Sequence, residues 1–317
     1  MPVADPRRDI NSGSGNPMVE GVLPQYVLRD LVSTTGDLAA LPTTVVRLLD
    51  LLKDQTCAAD KVAQVLDQDG AMTANVLKLS NSAFYGVRGT VGTTRQALVL
   101  LGNRAVLTLA FATGMVPVMR RNLTGYGIDR DRYWEHALTS AMTAGVVMSE
   151  LGAPERSCEA FTAGLVHDIG MLALDSHLAT NGMKLVPAFP LFNVNERERE
   201  TLGFDHTDAG ALLAENWGFP APLAAAIRYH HRPWAAPHDK DLVLAVTVGD
   251  MVAQMAGDHM QPEAWPEELD YLAPWGIDGD HLRLFVDSVT LAPEETLARA
   301  TRPAGLPCQP STPVSTS

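Results

Sequence analysis

Between Ala163 and Leu174 the chain reads Ala-Gly-Leu-Val-His-Asp-Ile-Gly-Met-Leu-Ala-Leu, an apolar segment whose only polar side chains are the adjacent His167 and Asp168. Such a stretch belongs in a protein interior, where a charge pair costs several kcal/mol unless it is partnered. Any fold of this sequence must therefore deliver a partner to that point. A metal ion is sufficient; a buried ion pair with an arginine or another histidine is the structural alternative. A membrane is not the destination. The longest apolar run, Ala105 to Val118, is 14 residues and follows Asn103–Arg104, whereas a bilayer-spanning helix needs about 20.

The apolar residues that build the interior are of a helical kind. Hydrophobic residues make up 46% of the 317 and aromatics only 6%. Ala, Leu and Val dominate, a mixture that suits close-packed helices rather than sheets. Helical periodicity runs through Val45–Leu52, Val62–Leu66 and Met72–Leu79, and no segment alternates with period two. A longer helix is expected from Asn103 to about Met119, its end bent by Gly114 and Pro117. Helices are further expected over about 132–151, stopped by Gly152, and from Ser157, acting as N-cap, to about His177. Others cover about 206–217, 220–231 and 242–256, with Gly218 and Pro220 as punctuation.

The expected fold is thus all-α. The Gly-containing, charged stretch Asn122–Asp131 reads as a connector, which divides the chain into helical segments over 21–125 and 126–257, followed by a helical extension over 258–300. Residues 1–20 and 301–317, rich in Pro, Gly, Ser, Asn and Thr, read as disordered ends.

Charge and cysteine usage narrow the function. Lys and Arg total 24 against 37 Asp and Glu, a formal charge of -13. An acidic surface repels phosphate backbones, so nucleic acid is a poor partner despite the Arg120–Arg121 pair. The cysteines Cys57, Cys158 and Cys308 are far apart and odd in number, which suits a reducing cytoplasm rather than a disulfide framework. The first residues lack the apolar core of a signal peptide.

Five of the nine histidines fall with two aspartates on the later helices: His136, His167–Asp168, His206, His230–His231 and Asp250. Imidazole and carboxylate together suit divalent Fe, Mn, Zn or Ni. Adjacent residues on a helix point about 100° apart, so His167 and Asp168 can flank one ion or bridge two. His177, His238, His259 and His281 read as ordinary surface or hydrogen-bonded residues.

Several ordered motifs carry a resemblance. Trp134-x-His136, Gly164-Leu-Val-His-Asp-Ile-Gly170, Asp205-His206-x-x-x-Gly210, Trp217-Gly-Phe-Pro220, Ile227-x-x-His-His-x-Pro233 and Val248-x-Asp250 resemble the HD superfamily, and specifically its HDOD branch. In the earlier half Leu41-Pro42, Asp69-x-x-Met-Thr-x-x-Val-Leu77, Leu79-Ser-Asn-Ser82, Phe84-Tyr-Gly86 and Ala97-x-x-x-Leu-Gly102 agree, so the resemblance covers about residues 25–255. It implies two helical lobes, the later one HD-like. It also implies metal ligation by His136, His167, Asp168 and Asp250. By similarity to the HD-GYP phosphodiesterases, His206, His230 and His231 would hold a second ion.

Two departures bear on activity. Where those enzymes place a lysine after HD-Ile-Gly this chain has Met171, and after the paired histidines it has Arg232-Pro-Trp instead of Gly-Tyr-Pro. The expectation is a cytoplasmic signal-transduction or regulatory protein of bacterial type with a divalent-metal site and no catalytic turnover, acting on a signalling partner in trans. The alternative is a metal-dependent phosphohydrolase for a nucleotide or cyclic dinucleotide, in which Asp168 is catalytic. A third possibility is an adaptor that binds a cyclic dinucleotide without cleaving it. Asn81–Gly86 reads as a helix end rather than a partner surface, and Trp217 and Trp234 as packing anchors rather than base-stacking platforms.

Overall fold

The computed structural model describes residues 28–29, 41–54, 58–81, 90–185 and 194–291. Both expected disordered ends, Cys57, Cys308 and most of the Asn81–Gly86 segment lie outside the described residues. Among those described, the secondary structure is helical, with one isolated backbone bridge between Leu123 and Ile128. No helix is long and apolar enough to cross a membrane.

The earlier helices are α1 (Thr43–Lys53), α2 (Ala59–Leu66), α3 (Gly70–Ser80), α4 (Thr94–Leu101) and α5 (Asn103–Met119). α1 and α3 both pack on α5. Gly114 allows this closeness, since a β-carbon there would sit 2.6 Å from Val45 Cγ2. Pro117 lies in the last turn of α5 and the helix continues to Met119. There proline removes one hydrogen-bond donor close to a helix end.

The connector folds into a tight turn. Leu123 and Ile128 exchange backbone hydrogen bonds of 2.8 and 3.0 Å around Gly127, whose φ is +68°. α6 (Arg130–Glu150) follows, capped by Asp129, whose carboxylate accepts from the amides of Asp131 and Arg132. Gly152 closes the helix at φ +86°.

After this come α7 (Ser157–Val166), α8 (Ile169–Thr180), α9 (Val194–Leu202), α10 (His206–Asn216), α11 (Ala221–Tyr229), α12 (Lys240–Asp258), α13 (Pro266–Leu272) and α14 (Gly279–Leu291). α6 is the spine of this part, packed along both α7 and α12, while α8, α10 and α11 form a layer beside it. Gly164 and Gly249 bring the spine contacts close. A β-carbon at Gly164 would press on Ala141 Cα at 2.8 Å, and one at Gly249 on the Ser140 carbonyl oxygen at 2.5 Å, both backbone of α6.

Two expectations are corrected. The single helix from Ser157 to His177 is two helices, broken at His167–Asp168. The Gly164 carbonyl there accepts from the His167 ring at 2.7 Å, and the Met171 amide bonds the Asp168 carbonyl in a tighter i+3 turn. A side-chain donor thus competes with the helical ladder. Ser157 is not an N-cap: it is the first helical residue, and its hydroxyl pairs with Ser149 at 2.6 Å.

Candidate metal centre

The junction between α7 and α8 turns His167 and Asp168 in among the helices from α6 to α12. His136 approaches from the second turn of α6, and Asp250 from the middle of α12. His206, the first residue of α10, and His230–His231, just past α11, complete the ring. All seven sequence-identified residues meet. Six are buried, and only the His231 side chain keeps 19% of its surface exposed. The helical spacing argument for the HD pair needs amendment, because the pair sits at a break between helices and not on a continuous one.

The donors form two groups, His136–His167–Asp250 and Asp168–His206–His230–His231, each within 4.8 Å. Asp168 belongs to both by geometry. Its Oδ2 lies 3.4 Å from His136 Nε2 and 3.2 Å from His167 Nε2. Its Oδ1 lies 3.4 Å from the Nε2 atoms of both His206 and His230. Asp250 Oδ1 faces His136 and His167 at 3.3 and 3.7 Å, and its Oδ2 faces His231 Nδ1 at 3.6 Å.

Three histidines have their tautomer fixed from behind. His167 Nδ1–H donates to the Gly164 carbonyl and His230 Nδ1–H to the Ile227 carbonyl at 3.0 Å. His206 Nδ1–H donates to Glu198 Oε2 at 2.7 Å. A carbonyl or carboxylate only accepts, so each ring keeps its Nδ1 proton outward and points Nε2 inward, the atom that ligates a metal once it is deprotonated. The Nε2 atoms face each other: His136 and His167 at 3.3 Å, His206 and His231 at 3.1 Å, His206 and His230 at 3.4 Å. Ligands bound at about 2.1 Å and 90–110° apart are themselves about 3.0–3.4 Å apart. The donor set therefore fits the inner coordination shell of divalent ions.

The protonation balance agrees. Burial alone would lower the pKa of His206, but Glu198, Asp168 and Asp205 outweigh it and push it to about 10. For His136 and His167, burial is likewise overcome by Asp168 and Asp250, and both are raised. Burial raises Asp168 and Asp250, yet the surrounding imidazoles hold both well below the usual carboxylate range. His230 and His231 shift the other way, lowered by burial and by the neighbouring imidazoles, so the protons the site holds lie on His136, His167 and His206. A metal must displace those protons, so its affinity should rise with pH and fall on acidification. We expect affinity at least about tenfold tighter at pH 8 than at pH 6, read by competition with a colorimetric chelator; a flat profile would contradict the assignment of these imidazoles as ligands.

Several contributors escaped the sequence reading. Glu198 on α9 is fully buried and accepts from both the backbone amide and the ring of His206. Its other oxygen accepts from Tyr126 Oη at 2.5 Å. In the sequence it sits within Asn-Glu-Arg-Glu-Arg-Glu, which reads as a solvated face. Gln254, one turn after Asp250 on α12, donates from Nε2 to Asp250 Oδ1 at 2.9 Å; the i+4 spacing was the available signal. Tyr133 Oη donates to the Asp168 carbonyl at 3.0 Å. Because Glu198 orients His206, Glu198→Gln should weaken metal affinity about 10–100-fold while the fold survives, measured by metal titration alongside circular dichroism.

His177, His238, His259 and His281 take no part in either donor group. His238 and His281 pair locally with Asp239 and Asp278. Trp217 packs edge-tilted against Phe219, whereas Trp234 is an exposed residue whose ring meets Tyr271 of α13 at 6.2 Å.

Fold and site together define an all-α protein of HD type, with paired His/Asp donor groups at a helix junction. The HDOD domain family model matches residues 38–233, and the chain belongs to that family. Among solved structures, a provisionally named phosphohydrolase from Shewanella amazonensis SB2B is similar at 26% identity, covering 85% of this chain and 96% of that one, with a TM-score of 0.59. An HDOD domain protein of unknown function from Geobacter sulfurreducens shares the fold at 22% identity, with 87% and 96% coverage and a TM-score of 0.62. So does a provisionally named signal transduction protein from Marinobacter aquaeolei VT8, at 22% identity, 87% and 65% coverage and a TM-score of 0.63. An uncharacterized protein from Treponema pallidum (strain Nichols) is 23% identical over 236 residues; the alignment covers 74% of this chain and 45% of that relative's length.

Proposed function

We propose that this chain is a cytoplasmic regulatory HDOD protein in which His136, His167, Asp168, His206, His230, His231 and Asp250 hold one or two divalent ions. In this reading the centre sets the conformation of the HD-like lobe and does not turn over a phosphoester. The observation that carries the reading is the placement of Asp168 between two groups of inward-facing imidazoles. α6, the α7–α8 junction, α10, the turn after α11 and α12 all contribute donors, so occupancy is linked to how firmly these elements hold together. Met171 is buried against the core and offers no cation for a substrate phosphate. A signalling protein in trans would then read the state of the lobe. Elemental analysis of protein purified without added metal or chelator tests this. Bound divalent metal is expected in the wild type and a large loss in His167→Ala. Sustained metal-dependent turnover of a phosphoester, abolished by His167→Ala, would overturn the non-catalytic part.

A second reading, a metal-dependent phosphohydrolase, draws support from one observation. A cavity of about 210 Å³ reaches His231 and is lined by Arg199 and Arg232 together with Glu196, Glu267 and Glu268. In that reading the ion supplies Lewis acidity and an activated water. Asp168 then acts as the shared acidic ligand beside the reacting group, and Arg232 faces the incoming phosphate.

A further inference from the structure

The turn that joins α5 to α6 is exposed at Thr124 and Gly127, yet Gly125 and Tyr126 between them are buried. Both are fastened to parts of the chain that come much later. The Gly125 amide donates to Asp175 Oδ1 at 2.6 Å, and its carbonyl accepts from the Leu185 amide at 2.8 Å. The turn lies flush on α8 here, since a β-carbon at Gly125 would sit 2.6 Å from Leu178 Cβ. Asp175 itself stands about two turns along α8 from Asp168.

Tyr126 carries the connection onward. Its Oη donates to Glu198 Oε1 at 2.5 Å, and Glu198 Oε2 accepts from the His206 amide at 2.8 Å and from the His206 ring at 2.7 Å. His206 Nε2 then faces Asp168 Oδ1 at 3.4 Å. The contacts close into a ring: from Asp168 along α8 to Asp175, across to the turn, through Tyr126 and Glu198 to His206, and back to Asp168. Every side chain named on this ring is buried. A second link runs through α6, where Tyr133 Oη donates to the Asp168 carbonyl at 3.0 Å. Buried hydrogen bonds have no water to replace them when one element moves, so such a ring shifts as a unit or breaks. Packing alone does not require the Tyr126 hydroxyl, because phenylalanine would fill the same space.

We infer that Tyr126 couples the donor groups to the turn between α5 and α6, so that disorder at His206 releases the turn and, with it, the end of α5. The coupling deepens the metal-centre reading above and rests on it for the event that orders His206, the binding of a divalent ion. Tyr126 is a positioning residue that acts through Glu198. The element it biases has two states, docked on Asp175 and Glu198 or released. α1 and α3 both pack on α5, so the earlier helices are the part of the molecule that receives the change.

Amide hydrogen exchange of the full chain, read by mass spectrometry with zinc bound and after chelation, tests the coupling; metal content is measured on the same samples. In the wild type, chelation should speed exchange of residues 122–128 by about fivefold or more. Tyr126→Phe should lose most of that response, while the segment around His206 still responds to chelation. Asp175 continues to hold the Gly125 amide in this variant, so exchange should stay well below the unstructured rate. A packing role alone would speed exchange with and without metal and leave the response to chelation in place. The coupling is overturned by a wild-type turn indifferent to removal of the ion, by a response that survives Tyr126→Phe undiminished, or by exchange of that variant at the unstructured rate in both states. The wild-type comparison needs no substitution and stands as a test by itself. If zinc does not bind, the metal-centre reading fails alone, and a double-mutant cycle on the metal-free chain decides. His206→Ala should then speed exchange at the turn when Tyr126 is present and add little in Tyr126→Phe; additive effects would refute the coupling.

Discussion

Asp168→Asn is expected to strip metal from both donor groups at once, whereas His136→Ala should impair one. The carboxylate stands within 3.4 Å of four imidazole Nε2 atoms, two on each oxygen. Asparagine keeps the shape, but it removes the negative charge and turns an N–H₂ donor toward imidazoles that need their lone pairs for a metal. The loss should appear as stability too, because an ion that binds the folded lobe alone stabilises it by about 4 kcal/mol at a thousandfold excess over Kd. In urea unfolding monitored with and without chelator, the wild type should lose stability on chelation, and Asp168→Asn should start low and ignore the chelator. A variant that keeps full metal content, or a wild type indifferent to chelation, would remove the bridging role.

The second large effect comes from a residue with no side chain. A β-carbon at Gly170 would lie 1.9 Å from the His206 carbonyl oxygen and 2.5 Å from the Gly210 amide nitrogen. Both obstacles are backbone of α10, so neither can rotate away. Gly170→Ala must push α10 off α8, and with it His206, whose Nε2 faces Asp168. Overpacking of a flexible core costs about 1–3 kcal/mol; a clash against fixed backbone should exceed the upper figure. The expected result is a destabilisation of about 3 kcal/mol or more in urea, together with loss of metal affinity. Destabilisation below about 1 kcal/mol with metal content intact would show that α10 is free to move.

Much of the molecule was legible in the chain. The helix from Asn103 to Met119 matched the bounds that its apolar run implied, and Gly152 and Gly218 take positive φ after helix ends, where only glycine does so cheaply. The His and Asp residues stood out because polar groups inside apolar periodicity have no cheap explanation except a shared partner. Less legible was what depends on side chains competing with the backbone. His167 takes the Gly164 carbonyl and breaks a helix that periodicity alone would continue. Propensity and period describe backbone preference, and a single side-chain hydrogen bond at a site can outweigh them.

By itself, then, the sequence determined an all-helical fold of the HDOD family and singled out the His and Asp residues that cluster, since apolar period and residue chemistry are local properties written into the order of the chain. Only the tertiary structure decided that Asp168 faces both donor groups, that Glu198 leaves an apparently solvated run to hold His206, and that residues after 260 wall the cavity at His231. Those facts depend on where α6, α9, α12 and α13 pack in space. Packing is set by shape and burial summed over the whole interior, and no short stretch of sequence contains that sum.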